Sequence, residues 1–208
     1  MEYLFSSIFG YLLGSIPTAY LLVKKARGID ITKKGSGNVG AYNSLDVTKS
    51  KWIGLSVLII DFLKGLGSVI IPTLLFPGQF IYPAIALLFA VFSHCFNPWI
   101  QFKGGRGLAT AAGGAILISP VLLLSWCILW VLFYLMRKDI SFANISSTIF
   151  SLVVAFGTSD IAIKYTYPQP DSLSTLILVS SCILILIFIK HIEPLKEFLE
   201  DQKKIRKS

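Results

Sequence analysis

The chain is 208 residues long, 54% hydrophobic and only 14% charged, with a mean hydropathy of +0.73. That balance is too apolar for a soluble domain and predicts an all-α, polytopic membrane protein in a single domain spanning residues 1–208. The net charge of +8 collects between apolar runs, so it speaks for membrane topology and anionic ligands, and no nucleic-acid partner is expected.

Apolar stretches at about 3–23, 52–76, 80–100, 108–136, 141–159 and 172–190 read as spans. The N-terminal stretch has no basic segment before it and no small-residue cleavage site, so it is expected to be a retained span. It carries Gly10 and then Gly14-Ser15-Ile16-Pro17, small residues for close helix contact followed by a kink. The fourth stretch, taken as one helix, would run about 43 Å against a hydrocarbon core of about 30 Å. Ser119-Pro120 in its middle predicts a break.

Charge placement supports that break. With it there are seven spans, the N-terminus outside and the C-terminus cytoplasmic, and seventeen of the nineteen lysines and arginines fall inside. Lys64 lies in a span and Lys164 outside. An unbroken fourth helix would put Arg137, Lys138 and the basic tail on the wrong side. The piece 108–119 is short, about 18 Å of helix, and is expected to have its end covered by neighbouring helices.

The first inside loop holds Lys33-Lys34, then Gly35, Ser36, Gly37, Asn38 and, further on, Asn43. Glycine, serine and asparagine beside cations suit a backbone nest for an anion, although the same composition describes a flexible surface loop. The second span carries Asp61 and Lys64 on one helical face. Each charge costs about 2.5–3.5 kcal/mol at a helix centre, which predicts an ion pair or a polar cavity, with either a structural or a supporting role at a site. His94 stands near the inside end of the third span and His191 at that of the last, far apart and without metal-ligand spacing, so no metal is expected. Cys95, Cys127 and Cys182 lie in apolar runs and read as packing thiols.

Between the third and fourth stretches stands Lys103-Gly104-Gly105-Arg106-Gly107. Three glycines, two cations and the start of a helix describe an anion cradle, most naturally for phosphate. Ser141 follows Arg137-Lys138-Asp139 and can cap a helix or touch a ligand. Lys190-His191-Ile192-Glu193 puts donors and a carboxylate at one depth, and the polar end after Pro194 reads as a short amphipathic or frayed helix.

Taken together, YLLGSIPTAYLL, GSGNVGAYN, DFLKG, SHCFNPWIQFKGGRGLAT and, more weakly, KHIEPLKEFL resemble one family. It is that of the bacterial acyl-phosphate-dependent glycerol-3-phosphate acyltransferases, the PlsY family. The resemblance implies a seven-span inner-membrane enzyme with a cytoplasmic site, moving an acyl group from acyl-phosphate to glycerol 3-phosphate without cofactor or metal. It carries over Ser36, Gly37, Asn38, Asn43, Lys103, Gly104, Gly105, Gly107 and His191, with Arg106 as a like-charged replacement, and further Ser141 and Glu193. Ser36, Asn38, Lys103 and His191 are the expected catalytic set. Gly35 and the remaining loop residues are expected to bind phosphate, and Asp61, Lys64 and His94 to support them. Tyr42, Asp46, Pro194 and Ser93 stand where the family usually has Thr, Arg, Asn and Gly. Those departures leave open another phosphorylated acceptor or a reduced activity, with Lys49 or Lys51 as a replacement charge. An anionic metabolite or lipid transporter is the alternative from a different class, and neither oligomeric state nor acyl-chain preference is specified by the sequence.

The chemistry itself asks little acid–base machinery. Acyl-phosphate has a good leaving group, so alignment of the acceptor hydroxyl and stabilisation of charge on the carbonyl and phosphate are the main requirements. No Ser-His-Asp set is visible. The proton can leave through His191 or a substrate phosphate oxygen, and the second is the better expectation.

Overall fold

Prolines and polar turns set the breaks along this bundle. The computed structural model describes residues 1–205, and among them it is helical with no strand. Arg206 and Lys207, counted above among the inside cations, lie outside the described residues. The first stretch divides into α1 (Glu2–Gly14) and α2 (Thr18–Arg27) around Pro17, at φ −83° and ψ 69°, because proline offers no amide to the turn before it. The loop after α2 then contains a helix the sequence did not announce, α3 (Ala41–Thr48), entered from Gly40. Helix α4 (Lys51–Leu75) follows, its start capped by Ser50, whose hydroxyl accepts from the Ile53 amide at 3.4 Å.

Helix α5 (Ile81–Cys95) ends short of the expected residue 100. Asn97 accepts from the Trp99 amide at 3.1 Å and starts a separate 3-10 turn over Pro98–Ile100. The expected break at Ser119-Pro120 is present: α6 (Leu108–Ile118) stops at Ser119 and α7 (Pro120–Arg137) begins with the proline in its first turn. The remaining helices are α8 (Ile140–Gly157), the short α9 (Ser159–Ala162), α10 (Leu173–Ile189) and the tail helix α11 (Ile192–Ile205).

Among the described residues, five helical segments are long and apolar enough to cross a bilayer: α1–α2, α4, α5 with its 3-10 turn, α7 and α8. A sixth is added if α10 and the start of α11, bent by 46°, count as one. Helix α6, the expected short member, has 11 residues. Its C-terminal end is covered by protein: the Tyr167 amide donates to the Leu117 carbonyl at 2.9 Å, and Ser119 Oγ lies 3.4 Å from Ser180 Oγ. A helix end covered by protein in this way lowers the cost of unpaired backbone in lipid.

Close helix contact depends on missing side chains. Gly10 and Gly14 of α1 lie against the Ala86 and Ala90 backbone of α5, while Gly65 of α4 faces Thr110 and Gly113 of α6 faces Phe62. A methyl group at any of the four would strike a carbonyl of the opposite helix. The core joins Leu87 and Val91 of α5, Ile118 of α6, and Ile183 and Ile187 of α10. Helix α7 contributes no buried residue and packs along α8 at the rim.

Candidate active site

The two glycine loops touch. In the first, Gly35 and Gly37 take left-handed φ values of +60° and +68°, which glycine adopts without steric cost. Asn43, on the first turn of α3 and 2% exposed, shapes that loop from behind. Its Oδ1 accepts from the Ser36 amide at 3.1 Å, and its Nδ2 donates to the carbonyls of Lys34 at 3.0 Å and Asn38 at 2.9 Å. The polar atoms of Asn43, expected to contact phosphate, are thus spent on the loop. In the second loop the Gly105 amide donates to the His94 carbonyl at 3.1 Å, and the Val39 amide reaches across to the Gly104 carbonyl at 3.4 Å. A Cβ at Gly104 would meet the His94 and Cys95 carbonyls, and one at Gly105 the His94 ring. Gly107, at φ +82°, turns the chain into α6.

Two adjoining clefts share Ser36, Asn38 and Arg106 as lining residues. The larger, about 450 Å³, is completed by Asp61, His94, Gly107, Ser141 and Asn144, with Leu108 and Ala109 from the start of α6. The first amides of that helix have no partner within it, so the cleft receives the positive end of α6. The second, about 370 Å³, adds Gly37, Lys103, Gly104, Lys190, Glu193 and Pro194. An apolar pocket of about 110 Å³ lies between α5, α6, α7 and α10, and Leu108 lines both it and the larger cleft.

These residues come from matching ends of the helices. The start of α6 and the end of α7, at Lys138 and Asp139, line the same cleft, so the broken fourth stretch goes out and returns. A continuous 29-residue helix would separate those ends by about 43 Å.

Asp61 and Lys64 form the expected pair, buried at 3% exposure each and 2.7 Å apart. Lys64 Nζ also donates at 2.6 Å to the Ile16 carbonyl, which stands in the break between α1 and α2 and accepts from the Thr18 amide as well. Asp61 lines the cleft, and its Oδ1 is 3.9 Å from His94 Nδ1, too far for a hydrogen bond. Capping of α8 falls to Asp139, which accepts from the Phe142 amide at 2.6 Å, leaving Ser141 to face the cleft. His191 sits apart. It is fully buried at the turn into α11, its Nδ1 is 2.8 Å from the Ile187 carbonyl, and it lines neither cleft. A carbonyl only accepts, so Nδ1 carries the proton, and Nε2 is left without a partner among the described residues. Burial pushes His191 down to about 4, opposed by the Ile187 bond and reinforced by Arg106.

The departures from the family pattern fall in different places. Asp46 pairs with Lys49 at 2.8 Å, both exposed, so neither that acid nor that replacement cation lines the clefts. Tyr42 and Pro194 do line them. Ser93 donates to the Ala90 carbonyl at 3.3 Å inside the α1–α5 contact. Sequence reasoning missed Asn144 and Glu197 as lining residues. Asn144 was detectable as the residue one helical turn beyond Ser141, on the same face.

Known proteins match along nearly the whole chain. A family model described as glycerol-3-phosphate acyltransferase matches residues 4–201. The glycerol-3-phosphate acyltransferase of Wolbachia sp. subsp. Brugia malayi is 34% identical over 205 residues, covering 98% of each chain. That of Helicobacter acinonychis is 32% identical over 211 residues, covering 95% of this chain and 92% of its own. The crystal structure of PlsY, an integral membrane glycerol 3-phosphate acyltransferase, in its glycerol 3-phosphate form superposes with a TM-score of 0.79 at 30% identity. It covers 97% of this chain and 94% of that one, and a lysophosphatidic acid form of it gives 0.77. Since the likeness runs from the first helix into α11, the chain belongs to the glycerol-3-phosphate acyltransferase (PlsY) family and is an integral membrane enzyme.

Proposed function

We propose that this enzyme transfers a fatty acyl group from acyl-phosphate to glycerol 3-phosphate, giving lysophosphatidic acid and inorganic phosphate in phospholipid synthesis. The carrying observation is the shared wall of Ser36, Asn38 and Arg106 between two polar clefts, one of which meets an apolar pocket at Leu108. Two phosphorylated groups and one acyl chain have a place in such a site. Lys103, Arg106 and Lys190 offer cations, and the glycine loops and the start of α6 offer amides. The acceptor hydroxyl oxygen attacks the acyl carbon, the bond from that carbon to the phosphate oxygen breaks, and the hydroxyl proton passes to a phosphate oxygen. A phosphate whose second pKa is about 6 suits that task better than His191, a weaker base held away from the clefts. Catalytic contact is assigned to Ser36, Asn38 and Lys103, and a positioning role at the α10–α11 turn to His191.

The topology follows from charge. Counting α6 and α10 as spans gives seven, with the N-terminus outside and the clefts on the cytoplasmic side of the inner membrane. Apart from Asp61 and Lys64 the spans present little charge along their depth, which speaks against a transport route. Detergent-purified enzyme given palmitoyl-phosphate is expected to release phosphate only when glycerol 3-phosphate is added, with one lysophosphatidic acid formed per phosphate. Release that ignores the acceptor, or that needs a different phosphorylated alcohol, would contradict this reading.

A further inference from the structure

One side chain on the cleft wall takes its orientation from outside the cleft. Asn144, one turn beyond Ser141 on α8, is 9% exposed and lines the larger cleft. Behind it, Trp130 Nε1 on α7 donates to Asn144 Oδ1 at 2.7 Å. An indole N–H can only donate, so the atom it meets is the amide oxygen, and the two Nδ2 donors occupy the other end of the amide. Among the described residues Nδ2 has no hydrogen-bond partner. Trp130 is itself held, its ring stacked on Tyr134 with centroids 5.1 Å apart.

The next turn of the two helices repeats the clamp. Trp126 Nε1 donates to Thr148 Oγ1 at 3.2 Å, and Trp126 lines the apolar pocket. Asn144 therefore stands one turn from the residue bonded to the pocket wall, where a chain lying in the pocket would bring its head into the cleft. In an acyl-phosphate the carbonyl lies between the chain and the phosphate, so its oxygen is the substrate acceptor that this placement brings to Asn144.

We propose that Asn144 Nδ2 donates to the acyl carbonyl oxygen of the donor substrate, and that Trp130 is the positioning residue holding the amide donors toward it. This rests on the acyl-transfer reading above. As the acceptor oxygen bonds to the acyl carbon, the carbonyl electron pair moves onto its oxygen, and it returns as the bond to phosphate breaks. The amide donor stabilises that oxygen while it carries the charge.

The test compares wild type, Asn144→Ala, Trp130→Phe and the double variant in glycerol 3-phosphate-dependent phosphate release from palmitoyl-phosphate, with a thermal midpoint for each. A wild type without turnover would fail the acyl-transfer reading itself, independently of the variants. Asn144→Ala is expected to lower kcat about 100-fold, the usual effect of losing one such donor, with KM for glycerol 3-phosphate changed less than about threefold. Trp130→Phe keeps an aromatic ring to stack on Tyr134 and loses the N–H with the five-membered part of the indole, so the amide turns freely and kcat falls about tenfold. The double variant is expected to be no slower than Asn144→Ala, because Trp130 acts through Asn144. Losses that multiply in the double variant would overturn the proposal. So would an unchanged kcat in Asn144→Ala, or a raised KM for glycerol 3-phosphate alone. Should Asn144→Ala not fold, an unchanged kcat in Trp130→Phe overturns it by itself.

Discussion

Side chains that look alike in the sequence separate once their partners are known. Asn38 and Asn43 both sit in the glycine-rich loop, yet Asn38 lines the clefts and Asn43 holds the loop backbone. No pattern of residue types distinguishes them, since the difference lies in which carbonyls the folded loop turns inward. Asn144 was missed for a related reason: its partner Trp130 is fourteen residues away on another helix. His191 was read as a residue at the end of the last span, and only the fold shows how completely it is buried. Its stability effect has a definite sign. In the unfolded chain a histidine takes its proton near pH 6.5, and folded His191 does so near 4. Between those values the unfolded state binds more protons, so the contribution is full above about pH 6.5 and is lost as pH falls toward about 4. The stability of wild type, and with it the thermal midpoint, is expected to drop across that window, and the drop to shrink in His191→Gln. An ionisation near pH 6.5 in wild-type kcat that vanished in His191→Gln would instead make the histidine the working base.

At the scale of elements, helix breaks were legible wherever a proline or a length argument enforced them. Pro120 divides its stretch as expected, the kink expected at Pro17 is a full break between α1 and α2, and the returning α6–α7 pair brings both of its ends to one cleft. The stop of α5 at Cys95 and the helix α3 were not legible. An Asn97 cap inside an apolar run and an eight-residue helix inside a loop carry weak local signals. Helix α4 carries Asp61 and α6 carries the Gly107 turn, so the cleft depends on their close approach at Gly65 and Gly113. Gly113→Leu is expected to force them apart, costing about 1–3 kcal/mol and lowering kcat with the thermal midpoint. Gly157→Ala, where no atom lies within reach of the added carbon, should leave both unchanged.

For the whole molecule, hydropathy and charge were enough to foresee a helical membrane protein with its glycine loops on one face. Their actual contact, the Val39 amide on the Gly104 carbonyl, was beyond reach, because it depends on how α3 and the end of α5 are carried by the rest of the bundle. That contact brings the two glycine loops together along the wall that the two clefts share. Hydrogen–deuterium exchange of the purified enzyme during a glycerol 3-phosphate titration tests this most directly. Amides of residues 35–43 and 103–109 are expected to be protected together, with one midpoint. Protection of a single loop, or two well-separated midpoints, would contradict a shared site.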